Sequence, residues 1–80
     1  MNRDELTTGQ AAALRAWEDA GFPTTVKKLG YSCGSRGNGN YHSTWAIRNN
    51  EGFVEIIRIT GDGRSTWRKM VKKYGPNNVG

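Results

Sequence analysis

Residues 61–75, GDGRSTWRKMVKKYG, set five basic side chains and no acid behind one Gly-Asp-Gly turn. Threaded among them, Trp67, Met70, Val71 and Tyr74 recur at i, i+3, i+4 and i+7, the spacing of one helical face. Asp62 or Ser65 supplies a cap and Gly75-Pro76 a stop, so a helix with this apolar stripe turned inward is expected. A helix this short is not stable alone. The preceding residues must therefore offer it a surface.

Those residues have strand chemistry. Leu29, Tyr31 and Cys33 alternate with Gly30 and Ser32, and Tyr41, Ser43, Trp45 and Ile47 alternate with His42, Thr44, Ala46 and Arg48. Residues 53–60 are rich in Val and Ile. Three strands follow, the last two joined by the tight turn Asn49-Asn50-Glu51-Gly52. Residues 34–40, GSRGNGN, are too glycine-rich for regular structure and read as a long, flexible hairpin loop carrying Arg36.

Ahead of the strands lies a second helical segment. Thr7 caps it, Gln10 closes a capping box, and Leu6 staples onto Ala11. Gly21 supplies a left-handed terminating residue, Phe22 its hydrophobic contact, and Pro23 forbids continuation. Ala13, Leu14, Trp17 and Ala20 line the inner side. The expected fold is α+β: helix-strand-strand-strand-helix, a three-stranded antiparallel sheet with both helices on one face. Residues 1–76 form one domain and residues 77–80 a disordered tail. Which sheet face stays open is not fixed, because Val26 and Leu29, and Phe53 and Val54, fall on opposite parities.

With 80 residues the chain is near the lower size for a self-supporting core, which leaves little material for an elaborate active site. A single Cys33 forms no internal disulfide and points to a reducing, cytoplasmic setting. No stretch has the basic and apolar run of a targeting segment or the length of a membrane span, so no membrane partner is expected. The formal net charge is +5, and it is unevenly placed. Residues 1–20 set Arg3 and Arg15 against Asp4, Glu5, Glu18 and Asp19, whereas residues 61–80 set five cations against Asp62 alone. Such asymmetry favours a polyanionic partner, a nucleic acid or an acidic protein surface, over a neutral small molecule.

Once the stripe of the last helix is buried, Arg64, Arg68 and Lys72 form an i, i+4, i+8 row with Lys69 and Lys73 beside it. No acid lies within the helix to relieve their repulsion. With Lys27, Lys28 and Arg36 they make the candidate contact set for phosphates, helped by the free N–H groups at the helix start.

Other chemistries find less. Cys33 and His42 are the only conceivable nucleophile-base pair, and no third group orients them, so an enzyme is not expected. One Cys and one His fall short of the four ligands of a structural zinc site. The glycines of the hairpin loop precede no G-K-[ST], so no nucleotide and no cofactor is expected. Tyr41 and Trp45 on the middle strand serve better as core than as a stacking platform.

The turn Gly61-Asp62-Gly63-Arg64-Ser65 leading into a basic helix, the loop glycines ahead of His42, and the order of elements together resemble the double-stranded RNA-binding domain. That resemblance implies phosphate contacts from Arg64, Ser65, Arg68 and Lys69, and a loop contact from residues 39–42, His42 included, in a minor groove. The sequence departs from the family's pattern at Thr66 and Trp67, where paired lysines stand, and lacks the loop proline.

The resulting expectation is a non-enzymatic module that binds double-stranded RNA or DNA through a basic C-terminal helix and a Gly/Arg-rich hairpin loop. The competing expectation is a small phage or mobile-element protein, of inhibitor or anti-CRISPR type, that docks on a host protein or a nucleic-acid-handling complex.

Overall fold

The computed structural model describes residues 3–33, 41–61 and 63–80, with backbone only at 32, 33 and 41. A 3-10 turn, Arg3–Glu5, leads to α1 (Thr8–Asp19). Three strands follow, β1 (Val26–Cys33), β2 (Tyr41–Arg48) and β3 (Val54–Thr60). The chain closes with α2 (Gly63–Tyr74) and a second 3-10 turn, Pro76–Asn78. The strands form one antiparallel sheet in the order β1-β2-β3, so the fold is α+β with the expected order of elements.

The termini of α1 follow from local chemistry. The Gln10 N–H donates to Thr7 Oγ1 at 3.2 Å, and the Thr7 N–H donates to Gln10 Oε1 at 3.0 Å, which closes the capping box. At the other end Gly21 takes φ +81°. Its N–H bonds the Glu18 carbonyl at 3.0 Å and the Phe22 N–H bonds the Trp17 carbonyl at 3.1 Å. These are the two bonds of a Schellman motif. Phe22 completes it with an edge-on contact to Trp17, ring centroids 4.9 Å apart.

The expectation that both helices share one face is corrected. On β2 the side chains alternate, and its neighbours Ser43 and Thr44 reach different helices: Ser43 Oγ lies 2.8 Å from Thr66 Oγ1 of α2, while the Gln10 Nε2 of α1 donates to Thr44 Oγ1 at 3.5 Å. The helices therefore cover opposite faces. Leu14 and Trp17 pack with Leu29, Ala46 and Ile56 on the α1 side, and Met70 packs with Val26, Trp45 and Val79 on the α2 side. The physical reason is that both parities of the strands are apolar. A sheet apolar on both faces needs two covers.

A register shift between Lys28 and Gly30 refines the arrangement. Lys28 pairs with Trp45 and Gly30 with Thr44, leaving Leu29 as an extra residue in a β-bulge. Leu29 joins the α1-side core, and Gly30 faces α1 as well, since a Cβ there would stand 2.8 Å from Gln10 Cγ. Tyr31 is thereby moved to the α2 side, where it pairs with Ser43. Strict alternation would have kept Leu29 and Tyr31 together.

Two further expectations are corrected. The inward line of α2 centres on Thr66 and Met70, with Val71 and Tyr74 half-buried and Trp67 left 38% exposed. Buried Ser43 needs a hydrogen-bonding partner, and Thr66 supplies it while also donating to the Gly63 carbonyl at 3.3 Å. Facing Thr66 to the sheet rotates Trp67 toward the rim. Residues 77–80 are not a disordered tail. Val79 is 6% exposed and bridges Val26 in parallel fashion. The Gly80 N–H donates to the Val26 carbonyl at 2.8 Å, and the Lys28 N–H to the Gly80 carbonyl at 2.9 Å. An edge strand has unpaired backbone groups, and this segment satisfies some of them on β1 while filling the space beside Trp45. The tail belongs to the domain.

Candidate functional site

The helix that was expected to be basic is basic on its outer side. Arg64, Arg68, Lys69, Lys72 and Lys73 are all exposed, and among the described residues none has a carboxylate at ion-pairing distance. Arg64, Arg68 and Lys72 are spaced about 6 Å apart along the axis, four residues of helical rise each. Ser65 lies inside the first turn, past the N-cap position, and Asp62 lies outside the described residues.

The contrast within the molecule is direct. At the α1 end, Arg3 donates to Glu18 from its two terminal guanidinium nitrogens, at 2.9 and 2.7 Å. That hydrogen bonding holds the Glu18 carboxyl below the usual carboxylate range and raises the Arg3 guanidinium.

The first turn of α2 abuts β1. A Cβ at Gly63 would lie 3.0 Å from Lys28 Nζ and 3.8 Å from Tyr31 Cδ2, so both side chains adjoin that turn. Lys28 Nζ sits 5.9 Å from the centre of the Tyr31 ring, and Tyr31 is 44% exposed. Trp67 is one helical turn beyond Gly63 on the same side of α2. Its ring leans on Trp45 with centroids 5.9 Å apart and planes at 43°, leaving its outer part in solvent. Lys28, Tyr31, Gly63 and Trp67 thus form a flank alongside Arg64 and Arg68.

Not every expected contact residue joins this surface. Lys27 pairs with Ala46 and so belongs to the α1 side, where it lines an apolar groove with Ala13, Trp17 and Pro23. His42 shares the parity of Thr44 and Ala46 and pairs with Thr60 on β3, which places it on the α1 side too. It is half-buried, and its Nδ1 has no hydrogen-bond partner among the described residues. Arg36 and residues 39–40 of the hairpin loop lie outside the described residues, as does the side chain of Cys33.

Two residues were missed by sequence reasoning. Strict alternation sets Tyr31 on the side of Leu29, and only the bulge at Gly30 moves it to the rim of the α2 side. Trp67 was assigned to the stripe, although Thr66 beside it carries the polar partner that Ser43 requires. Trp45, by contrast, is fully buried under α2 and offers no stacking platform.

No helix among the described residues is long and apolar enough to cross a membrane. Comparison with protein-family models, with curated proteins and with solved structures returns no match for this chain.

Proposed function

We propose that this protein is a non-enzymatic module that binds nucleic acid, gripping phosphates with the outer side of α2. The observation that carries this reading is the set of five exposed cations on one short helix, none with a carboxylate partner among the described residues. Like charges at i, i+4 destabilise a helix by a few tenths of a kcal/mol per pair. A row of phosphates reverses that sign, and the counterions it releases add a favourable entropy. Phosphate binding here stands on the charge of α2, independently of the likeness of residues 61–65 to the double-stranded RNA-binding domain.

The test is a salt series with short nucleic acids. Five phosphate contacts give a log-log slope of roughly −3.5 for single strands and −4.5 for duplex DNA. Reversing two cations in Arg68→Glu/Lys72→Glu is expected to flatten the slope by about two contacts and to cost at least about tenfold in affinity at low salt. Unchanged binding by that variant would remove the reading. So would a stoichiometric, nuclease-insensitive complex with an acidic protein, which is the outcome for a small inhibitor that docks on a host factor.

A further inference from the structure

The cations of α2 are half of a composite surface. Of the three tryptophans, Trp17 and Trp45 are buried and Trp67 alone is exposed. A second exposed aromatic ring, Tyr31, stands against the first turn of the same helix. Arg64 and Arg68 flank Trp67 at i−3 and i+1, and Lys28 adjoins Gly63. Apolar rings placed beside phosphate-binding cations gain nothing from a duplex, whose bases are stacked on one another and turned inward. They gain directly from unpaired bases, because every base has a π-face to lay on a ring.

Building on the phosphate-binding reading above, we infer that the ligand is a single-stranded nucleic acid whose bases stack on Trp67 and Tyr31 while Arg64 and Arg68 hold the adjoining phosphates. Trp67 is suited to the task by its mounting. Trp45 supports one part of its indole from beneath, so little side-chain freedom is lost when a base settles on the rest. Tyr31 is held in a similar way by the turn at Gly63 and by the Lys28 ammonium near its ring.

The geometry also supplies its own reporter. Emission from Trp67 responds to a base stacked on it, whereas Trp17 and Trp45 are shielded by the core. The experiment titrates the whole protein with oligo(U), with oligo(dT), and with RNA and DNA duplexes of the same length, at low salt, reading tryptophan emission and affinity together. Both single strands are expected to quench the emission and to bind about tenfold more tightly than the duplexes, the scale of one base-aromatic stack. A preference for oligo(U) over oligo(dT), or the reverse, supports stacking equally and reads the 2′-hydroxyl and the thymine methyl together.

Trp67→Leu keeps an apolar contact on Trp45 and removes the stacking ring. It is expected to abolish the quench, to cost about tenfold in affinity for single strands, and to leave the salt slope in place. Tyr31→Leu, at a half-exposed position that is not part of the core clusters, gives a second variant should the first prove unstable. Binding of single strands at wild-type affinity by either folded variant, or duplex binding as tight as single-strand binding with no quench, overturns the inference while leaving phosphate binding intact. No binding to any of the four ligands at low salt overturns both.

Discussion

α1 and α2 have the same length and dock on the same sheet, yet their polar sides are finished in opposite ways. α1 has a reciprocal capping box, a Schellman terminus and a bidentate Arg3–Glu18 pair at its outer side. Its one buried polar side chain, Gln10, is bonded on both of its amide atoms. α2 matches this care only on its inner side, where Thr66 meets Ser43. Outside, it carries five cations without carboxylate partners among the described residues, and a tryptophan left at the rim. One helix has its ends, its buried Gln10 and its Glu18 bonded within the fold, and the other carries its charge and a ring at the surface. That difference, more than the net charge, is what the proposed contact surface rests on.

The comparison is broken most severely from the α2 side. Removing Val79 and Gly80 takes away a buried Val beside Trp45 and two backbone hydrogen bonds to β1. A loss of about 3 kcal/mol is expected, read as a lower denaturant midpoint. A truncated chain as stable as the full one would show the tail to be incidental.

A smaller effect is expected at α1. Thr7→Ala deletes the acceptor for the Gln10 N–H and is expected to cost about 1 kcal/mol, with nucleic-acid affinity unchanged. Affinity falling along with stability would mean that the two faces do not divide the labour as described.

The smallest effect concerns the Arg3–Glu18 pair, which is largely exposed and so contributes below about 1 kcal/mol. The folded Glu18 carboxyl is held below its ordinary 4.5, so this contribution is present at neutral pH and is lost as pH falls through the lowered value. Arg3→Ala should therefore narrow its stability gap to the wild type in acid. A gap that stays constant from neutral pH down through that range would show the pair to be decorative.

Much of this fold could be read locally. The capping box at Thr7 and Gln10, the Gly21-Phe22 terminus and the order of elements are matters of spacing within a few residues, and the structure contains each of them. The placement of the helices was less accessible because it depends on partners distant in sequence. The opposite parity of Val26 and Leu29, which left the register open, was itself a sign of a sheet with two buried faces. Choosing the most economical packing discarded that sign. The cations of α2 were legible for the same local reason as the caps, since a run without acids needs no tertiary knowledge to be seen. Tyr31 and Trp67 were not legible as rim residues. One is displaced by a bulge whose sole local mark is Gly30, and the other by a hydroxyl pair between β2 and α2 that has no signature within α2 itself. Val79 was read as a tail residue because its partner, Val26, lies two thirds of the chain away.

The middle strand has β1 and β3 on its two edges and a helix above and below. Ala46 and Trp45, adjacent along the chain, belong to different cores and are both sealed from water. Neither core can melt by itself, because loosening β2 to open one removes the floor of the other. Unfolding should consequently run as a single concerted event in spite of two separate hydrophobic clusters.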